Sequence, residues 1–290
     1  MINQEVVPCN ICETSNFEEK LYSIRSGTLV KCSQCGLYYA SPRDASIIQA
    51  VLTNNTRTEL CEAKKLNYKG RVMEFKTYVH MINRLKPAKG KLLDIGCYEG
   101  NFLEQAKAGG WECYGVEPEI GAARYANEQL HLNVKQCVIE KAEFEDNCFD
   151  AITILATLEH VPDPRNLLVE VKRILKPDGV LLVSVPTIPA YLPIIRSKWR
   201  MFIGDHYYFF TDESLQKLLE KVGFKLEKSE FVTKNVDLDT ISARLAEDWQ
   251  PNNLGKFGGL LRKIILFMKI EKIRFNVNLF DTKIYTITSS

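Results

Sequence analysis

No stretch of the chain holds the 18 or so uncharged apolar residues of a membrane span, so no membrane-crossing helix is expected. Charge of one sign is also missing. Thirty-eight Lys and Arg face 36 Asp and Glu, a net charge of +2, which gives no global attraction to nucleic acid. The opening residues Met1 to Glu5 lack the basic and apolar regions of a secretory leader, so a reducing, cytoplasmic setting is the expectation. There are no internal repeats and no low-complexity run. Histidine is scarce, with four residues at positions 80, 131, 160 and 206, so each can be weighed singly. A length of 290 residues suggests one large domain with an appendage, and an apolar fraction of 46% is ample for its core.

The most informative stretch is Leu92-Leu93-Asp94-Ile95-Gly96-Cys97-Tyr98-Glu99-Gly100-Asn101-Phe102. It reads as a buried strand carrying an acid, then a glycine-bounded turn, then a helix. Glycine serves where backbone must take positive φ or lie against a ligand, and a helix N-terminus aims amides and positive dipole into such a turn. The turn lacks the Gly-x-Gly-x-x-Gly triple of nicotinamide-binding domains. A plain strand-to-helix turn is the bland alternative. About twenty residues on, Trp111 to Val116 reads as a second strand ending in Glu117, the spacing of a carboxylate that accepts ribose hydroxyls. Phe149 to Leu155 is a third buried run, followed by Leu158-Glu159-His160-Val161-Pro162-Asp163, a helix from Pro164, the turn Lys176-Pro177-Asp178-Gly179 and a strand over 180–185.

Nine cysteines add a second constellation. Cys9-x-x-Cys12 and Cys32-x-x-Cys35 are two knuckles whose four thiolates suit a tetrahedral zinc shell. Because all four ligands are protein, such zinc is structural rather than catalytic. Two disulfides or four free thiols are the alternatives. A cytosolic setting disfavours the disulfides. Residues 1–42 hold few cations against Glu5, Glu13, Glu18 and Glu19, which argues against an RNA-binding ribbon.

These motifs, over roughly residues 90–230, resemble the class I S-adenosylmethionine (SAM) dependent methyltransferases, whose pattern reads LDIGCGxG, an acid after strand two, FD…LEHVPDP and LKPDG. The stretch Cys32 to Arg43 resembles the N-terminal zinc ribbon of one subgroup, often found in sugar, polysaccharide or specialised-metabolite pathways. The resemblance implies an α/β fold: a doubly wound, seven-stranded Rossmann-like sheet with a small zinc ribbon. It implies SAM as cofactor, with Asp94 near its amino acid end, Gly96 and Gly100 letting the backbone approach, and Glu117 on the ribose. Tyr98 stands where the family has glycine. It either folds over the methionine moiety or narrows the site. Val138 stands where many relatives have an adenine-binding Asp, so adenine is expected on Val138 and Ile139, with backbone or Glu140 as its polar partner.

The expected organisation is a zinc ribbon over 1–42, a helical linker over 43–89 and a methyltransferase domain over 90–290. Asp44 is a candidate cap for a first helix. A second helix spans about 59–85, with Leu66, Val72, Phe75, Val79 and Ile82 on one stripe. Residues 186–204 are expected to be irregular, with Pro189 and Pro193 breaking any helix, within an acceptor-site segment over 186–211. The aromatics Trp199, Phe202 and Tyr207 to Phe210 either wall an acceptor pocket or belong to the core. His206 lies among them and His160 lies beside the expected methyl; these two are the candidate bases for a hydroxyl acceptor. His80 and His131 take the bland reading. Residues 253–275 read as a basic amphipathic helix that either contacts an anionic membrane surface or, as favoured, packs on the sheet or a second subunit. The functional expectation is methyl transfer to a small-molecule acceptor, a hydroxyl of a sugar or related metabolite. C- or N-methylation and a non-catalytic, partner-binding module are the alternatives.

Overall fold

The computed structural model describes residues 4–24, 26–44, 61–199, 201–238, 264, 268, 274–278 and 280–290. The chain begins with β1 (Gln4–Glu5), β2 (Phe17–Ile24), β3 (Gly27–Cys32) and β4 (Tyr38–Asp44), an antiparallel sheet in the order β1-β4-β3-β2. The last ribbon strand therefore runs to Asp44, and whether Asp44 also caps a helix falls on residues outside those described. The first helix expected after it lies outside the described residues.

Helix α1 (Cys61–Leu85) follows. Phe75, Val79 and Ile82 of the expected stripe are buried, and Phe75 meets Phe102 edge-on at 5.9 Å. A period near 3.6 puts these residues on one face, and that face covers the sheet. Then come β5 (Lys91–Ile95), α2 (Asn101–Ala108), β6 (Glu112–Val116), α3 (Ile120–Glu128), β7 (Asn133–Lys135), β8 (Phe149–Leu155), α4 (Pro164–Ile174) and β9 (Leu175–Pro186). Each strand pairs in parallel with its neighbour in the sheet, as strands joined by crossover helices do. Buried on both faces, they read as nearly continuous apolar runs. Asp163 caps α4 by accepting from Asn166 N at 3.0 Å, with Pro164 in the first turn where its missing N–H costs nothing.

Past β9 the chain forms the short helix α5 (Leu192–Ile195), with Pro193 tolerated in its first turn, where a helix breaker was expected. The two-residue strand β10 (Tyr208–Phe209) pairs antiparallel with β4, Tyr208 opposite Tyr39 and Phe209 opposite Tyr38. Helix α6 (Asp212–Lys221) starts at a capping box between Thr211 and Ser214. Strands β11 (Phe224–Phe231), β12 (Lys234–Asp237), β13 (Arg274–Val277) and β14 (Thr282–Ser289) complete the chain. The main sheet has seven strands in the order β11-β14-β9-β8-β5-β6-β7, with β14 antiparallel to both neighbours. This is the doubly wound sheet expected, and β5 lies beside β8 at the centre.

The aromatic run takes the core alternative. The aromatic run over 199–210 does not wall an open pocket: Trp199, Phe202, Tyr207, Tyr208, Phe209 and Phe210 are all buried, and Trp199, Phe202 and Phe209 cluster with Leu29 of β3 and Leu192. The ribbon sheet is too small for a core of its own, and these rings supply one. The amphipathic helix expected over 253–275 falls almost wholly outside the described residues, and its last two positions, Arg274 and Phe275, belong to β13.

Candidate active site

At the carboxyl end of β5 the backbone turns through Gly96 (φ 73°), Tyr98 (φ 50°) and Gly100 (φ 79°) before entering α2. Gly96 is fixed by space as well as by φ, because an added Cβ would lie 2.5 Å from both Thr157 Oγ1 and Cγ2. Tyr98 holds a left-handed conformation that a side chain disfavours by roughly 1–2 kcal/mol. Its amide donates to Glu117 Oε2 at 2.9 Å, while Glu119 N donates to Oε1 at 2.9 Å. The Glu117 carboxylate is thus fixed through both oxygens. Glu119 in turn caps α3 through Gly121 N and Ala122 N.

Asp94 is 3% exposed and accepts from Thr153 Oγ1 of β8 at 2.6 Å. Burial pushes its carboxyl up to about 7, against the pull of the Thr153 hydroxyl and Arg71. Val138 and Ile139 lie at the start of a single 3₁₀ turn, Ile139–Lys141, with Ile139 buried and Glu140 exposed.

The loop after β8 carries His160, and the segment before β10 carries His206. His160 and His206 meet edge-on with ring centroids 4.5 Å apart. The His160 side chain is 30% exposed. Its Nδ1 lies 2.8 Å from the Asp205 carbonyl oxygen, which can only accept, so Nδ1 is the donor of that bond. His206 is 4% exposed, and its Nδ1 has no hydrogen-bond partner. Burial, then the neighbouring His160, pushes the His206 imidazole down to about 3. Glu159 is 1% exposed; its Oε1 lies 4.0 Å from His160 Nε2, and its Oε2 has no partner. His80 is exposed on α1 and His131 in a loop, both remote from this group in role.

The ribbon holds this loop from the other side. Tyr207 N and Tyr208 N donate to the Glu159 carbonyl at 2.9 and 3.3 Å, and Ala40 N of β4 donates to the Tyr207 carbonyl at 2.8 Å. Arg43, nearly buried, donates to the Pro162 carbonyl at 3.2 Å, and Tyr208 Oη donates to the same oxygen at 2.9 Å. Asn10 Nδ2 donates to Asp163 Oδ1 at 2.8 Å, and Arg165 N donates to Asn10 Oδ1 at 2.8 Å.

Cys9, Cys12, Cys32 and Cys35 bring their sulfurs within 4.8 Å of one another. The two knuckles repeat one geometry. Glu13 N donates to the Cys9 carbonyl at 2.8 Å and Gly36 N to the Cys32 carbonyl at 3.0 Å, and both residues have positive φ, 58° and 73°. Zn–S bonds of about 2.3 Å would set tetrahedral sulfurs about 3.8 Å apart, close to what the chain presents. The donor set fits zinc.

A family model described as a methyltransferase domain matches residues 69–229, more than half of the chain. The chain belongs to this methyltransferase domain family. A ubiquinone biosynthesis O-methyltransferase of Actinobacillus pleuropneumoniae is 36% identical over 141 residues, covering 40% of this chain and 59% of that protein. One of Haemophilus ducreyi is 31% identical over 172 residues, covering 52% and 67%. This chain therefore spans little more than half the length of the first of these relatives. A SAM-dependent methyltransferase of Thermotoga maritima superposes with a TM-score of 0.52 at 19% identity, over 81% of this chain and 98% of that one. The methyltransferase of Haloferax volcanii in complex with the Trm112 activator gives 0.53 at 16% identity, over 77% and 93%. These two structures speak for the fold.

Within that domain, the motif residues gather at the carboxyl edge of the sheet, where open α/β sheets bind ligands. Three residues given no role in the sequence reading join them. Thr153 steadies Asp94, Glu159 faces the histidines, and Arg43 ties the ribbon to the loop. Thr153 is a lone hydroxyl in the apolar run Phe149 to Leu155, and Glu159 adjoins His160, so both left a trace in sequence. Arg43 left none, because the Pro162 carbonyl and Tyr208 hydroxyl it bonds lie more than a hundred residues away.

Proposed function

We propose that the chain is a SAM-dependent O-methyltransferase acting on a hydroxyl of a small molecule. The observation that carries this is the Tyr98–Glu117 pairing across the glycine turn: a carboxylate held by two amides at the tip of β6, beside a helix N-terminus, suits a ribose diol. Asp94 and Gly96 take the amino acid end of SAM, Gly100 opens α2, and Val138 and Ile139 carry the adenine, with Tyr98 against the methionine moiety. The sulfonium supplies the reactive methyl, so the protein's task is to bring the acceptor oxygen in line and handle its proton.

His160 is the residue we assign to that proton. It is the more open of the two imidazoles, and with Nδ1 donating to the Asp205 carbonyl the neutral ring presents Nε2 as the acceptor. His206 supports it edge-on from the interior. The sequence pointed to a sugar hydroxyl. The relatives named for ubiquinone biosynthesis turn the reading to a phenolic, quinone-related hydroxyl, a more acidic acceptor that asks less of a base. Cys9, Cys12, Cys32 and Cys35 would hold a structural zinc, a closed shell with no position for substrate.

The test is methyl transfer from labelled SAM to a panel of catechols, monophenols and sugars. The reading expects label in the phenolic class and its loss in His160→Ala with SAM binding retained. Label confined to sugars would restore the earlier acceptor class, and label in none would end the enzyme reading for this panel.

A further inference from the structure

We propose that Glu159, His160 and His206 form a binding site for one divalent transition-metal ion, separate from the four-cysteine site. One ligand atom from each lies within 4.8 Å of the others. Two of the three side chains are almost fully buried, Glu159 at 1% and His206 at 4% exposure. Their atoms Glu159 Oε2 and His206 Nδ1 have no hydrogen-bond partner. An unpaired buried carboxylate oxygen and an unpaired buried imidazole nitrogen, side by side, are costly unless something occupies the space between them.

The outer hydrogen bonds agree with a ligating role. Metal-bound histidines donate their second ring N–H to a carbonyl or carboxylate, which fixes the tautomer and aims the free nitrogen. His160 Nδ1 does so to the Asp205 carbonyl at 2.8 Å, and the His206 ring is bonded to the Met201 backbone. In the neutral rings this leaves His160 Nε2, 4.0 Å from Glu159 Oε1, and the unpartnered His206 Nδ1 as the nitrogens available to a cation. Two imidazoles and a carboxylate select zinc, iron, cobalt or nickel over magnesium or calcium, which prefer all-oxygen shells. Three protein ligands also leave a coordination position open, as catalytic sites do.

The cation's role rests on the methyltransferase reading; its binding does not. With the cation in place, His160 Nε2 is a ligand, and the acceptor hydroxyl loses its proton to solvent under the cation's polarisation. Without it, the imidazole takes that proton itself.

The test uses the full chain with its ribbon loaded with zinc, titrated with Co2+ by calorimetry and visible absorption. One Co2+ per chain is expected, with ligand-field bands and no sulfur charge-transfer band. Glu159→Gln and His160→Ala should each weaken it at least tenfold, while His131→Ala leaves it unchanged. His160 is half-exposed, so its variant keeps the measurement open even where Glu159→Gln fails to fold. No Co2+ uptake, uptake with thiolate bands, or uptake indifferent to His160→Ala would overturn the site. A SAM titration of the same sample separates the two claims. Co2+ bound without SAM binding leaves the metal site standing and removes the methyltransferase reading, and the converse removes only the metal site.

Discussion

The amide of Tyr98 and the carboxylate of Glu117, nineteen residues apart, meet at 2.9 Å across the mouth of the sheet. The bond exists because Tyr98 adopts φ 50°, which turns its N–H toward β6. A residue that departs from the family's glycine nonetheless keeps the glycine's backbone. Its side chain is the departure.

Substitutions in this turn should therefore separate cleanly. Tyr98→Gly relieves a left-handed side chain but adds backbone freedom to the unfolded state, so stability should change by about 1 kcal/mol or less. Gly96→Ala combines the same strain with a clash against Thr157, and should cost about 2–4 kcal/mol. Urea midpoints of the two variants check the ordering. Equal losses would mean that the turn is not held as described.

Asp94 gives a pH dependence of definite sign. Its folded carboxyl is raised to about 7 by burial, from an ordinary value of 3.8. Between those values the folded state binds the extra proton. The group's contribution is thus complete below about pH 4 and declines as pH rises through 7, with a slope of up to about 1.4 kcal/mol per pH unit. Asp94→Asn should flatten the stability profile over that range. A cationic SAM beside Asp94 favours the ionised form, so binding near pH 6 should release a proton, seen as a calorimetric heat that changes with buffer. Buffer-independent heats would place SAM's charge elsewhere.

The ribbon's backbone links to the loop, Ala40 to Tyr207 and Tyr207 to Glu159, predict a split effect of zinc loss. Cys32→Ser should leave SAM affinity within about threefold, because the Tyr98–Glu117 turn makes its hydrogen bonds within the main sheet's own loops. It should lower turnover at least tenfold, because the Glu159–His160 loop loses its outer support. Kinetics and binding measured on one preparation decide this. Parallel losses in both would mean that the ribbon merely stabilises the whole chain.

Arg43 sits at that junction, 6% exposed and bonded to the Pro162 carbonyl, with Tyr208 Oη 3.4 Å away. Arg43→Ala removes both packing and a charge-assisted bond, and should cost about 2–4 kcal/mol in urea unfolding. A loss below about 0.5 kcal/mol would detach the ribbon from the account of the loop.

Much of this was legible in the sequence, and the reason is local. The strand–turn–helix at Asp94 to Phe102, the acid at Glu117 and the four cysteines are each encoded by residues close in the chain, where periodicity and spacing act. The seven-stranded sheet follows from strands alternating with helices. The destination of the aromatic run was not legible. Tyr208 and Phe209 pair with Tyr39 and Tyr38, about 170 residues away, and burial alone does not reveal whether a ring faces a pocket or a neighbouring sheet. The partners of Arg43 and the approach of Glu159 to His206 are of the same kind, set by tertiary packing.

The most direct test of the central claim is a calorimetric titration of the purified chain with SAM and with S-adenosylhomocysteine, alongside Glu117→Ala. The account predicts binding of both to the wild type, weakened at least tenfold by the substitution. No binding to the wild type, or equal binding to the variant, would contradict it.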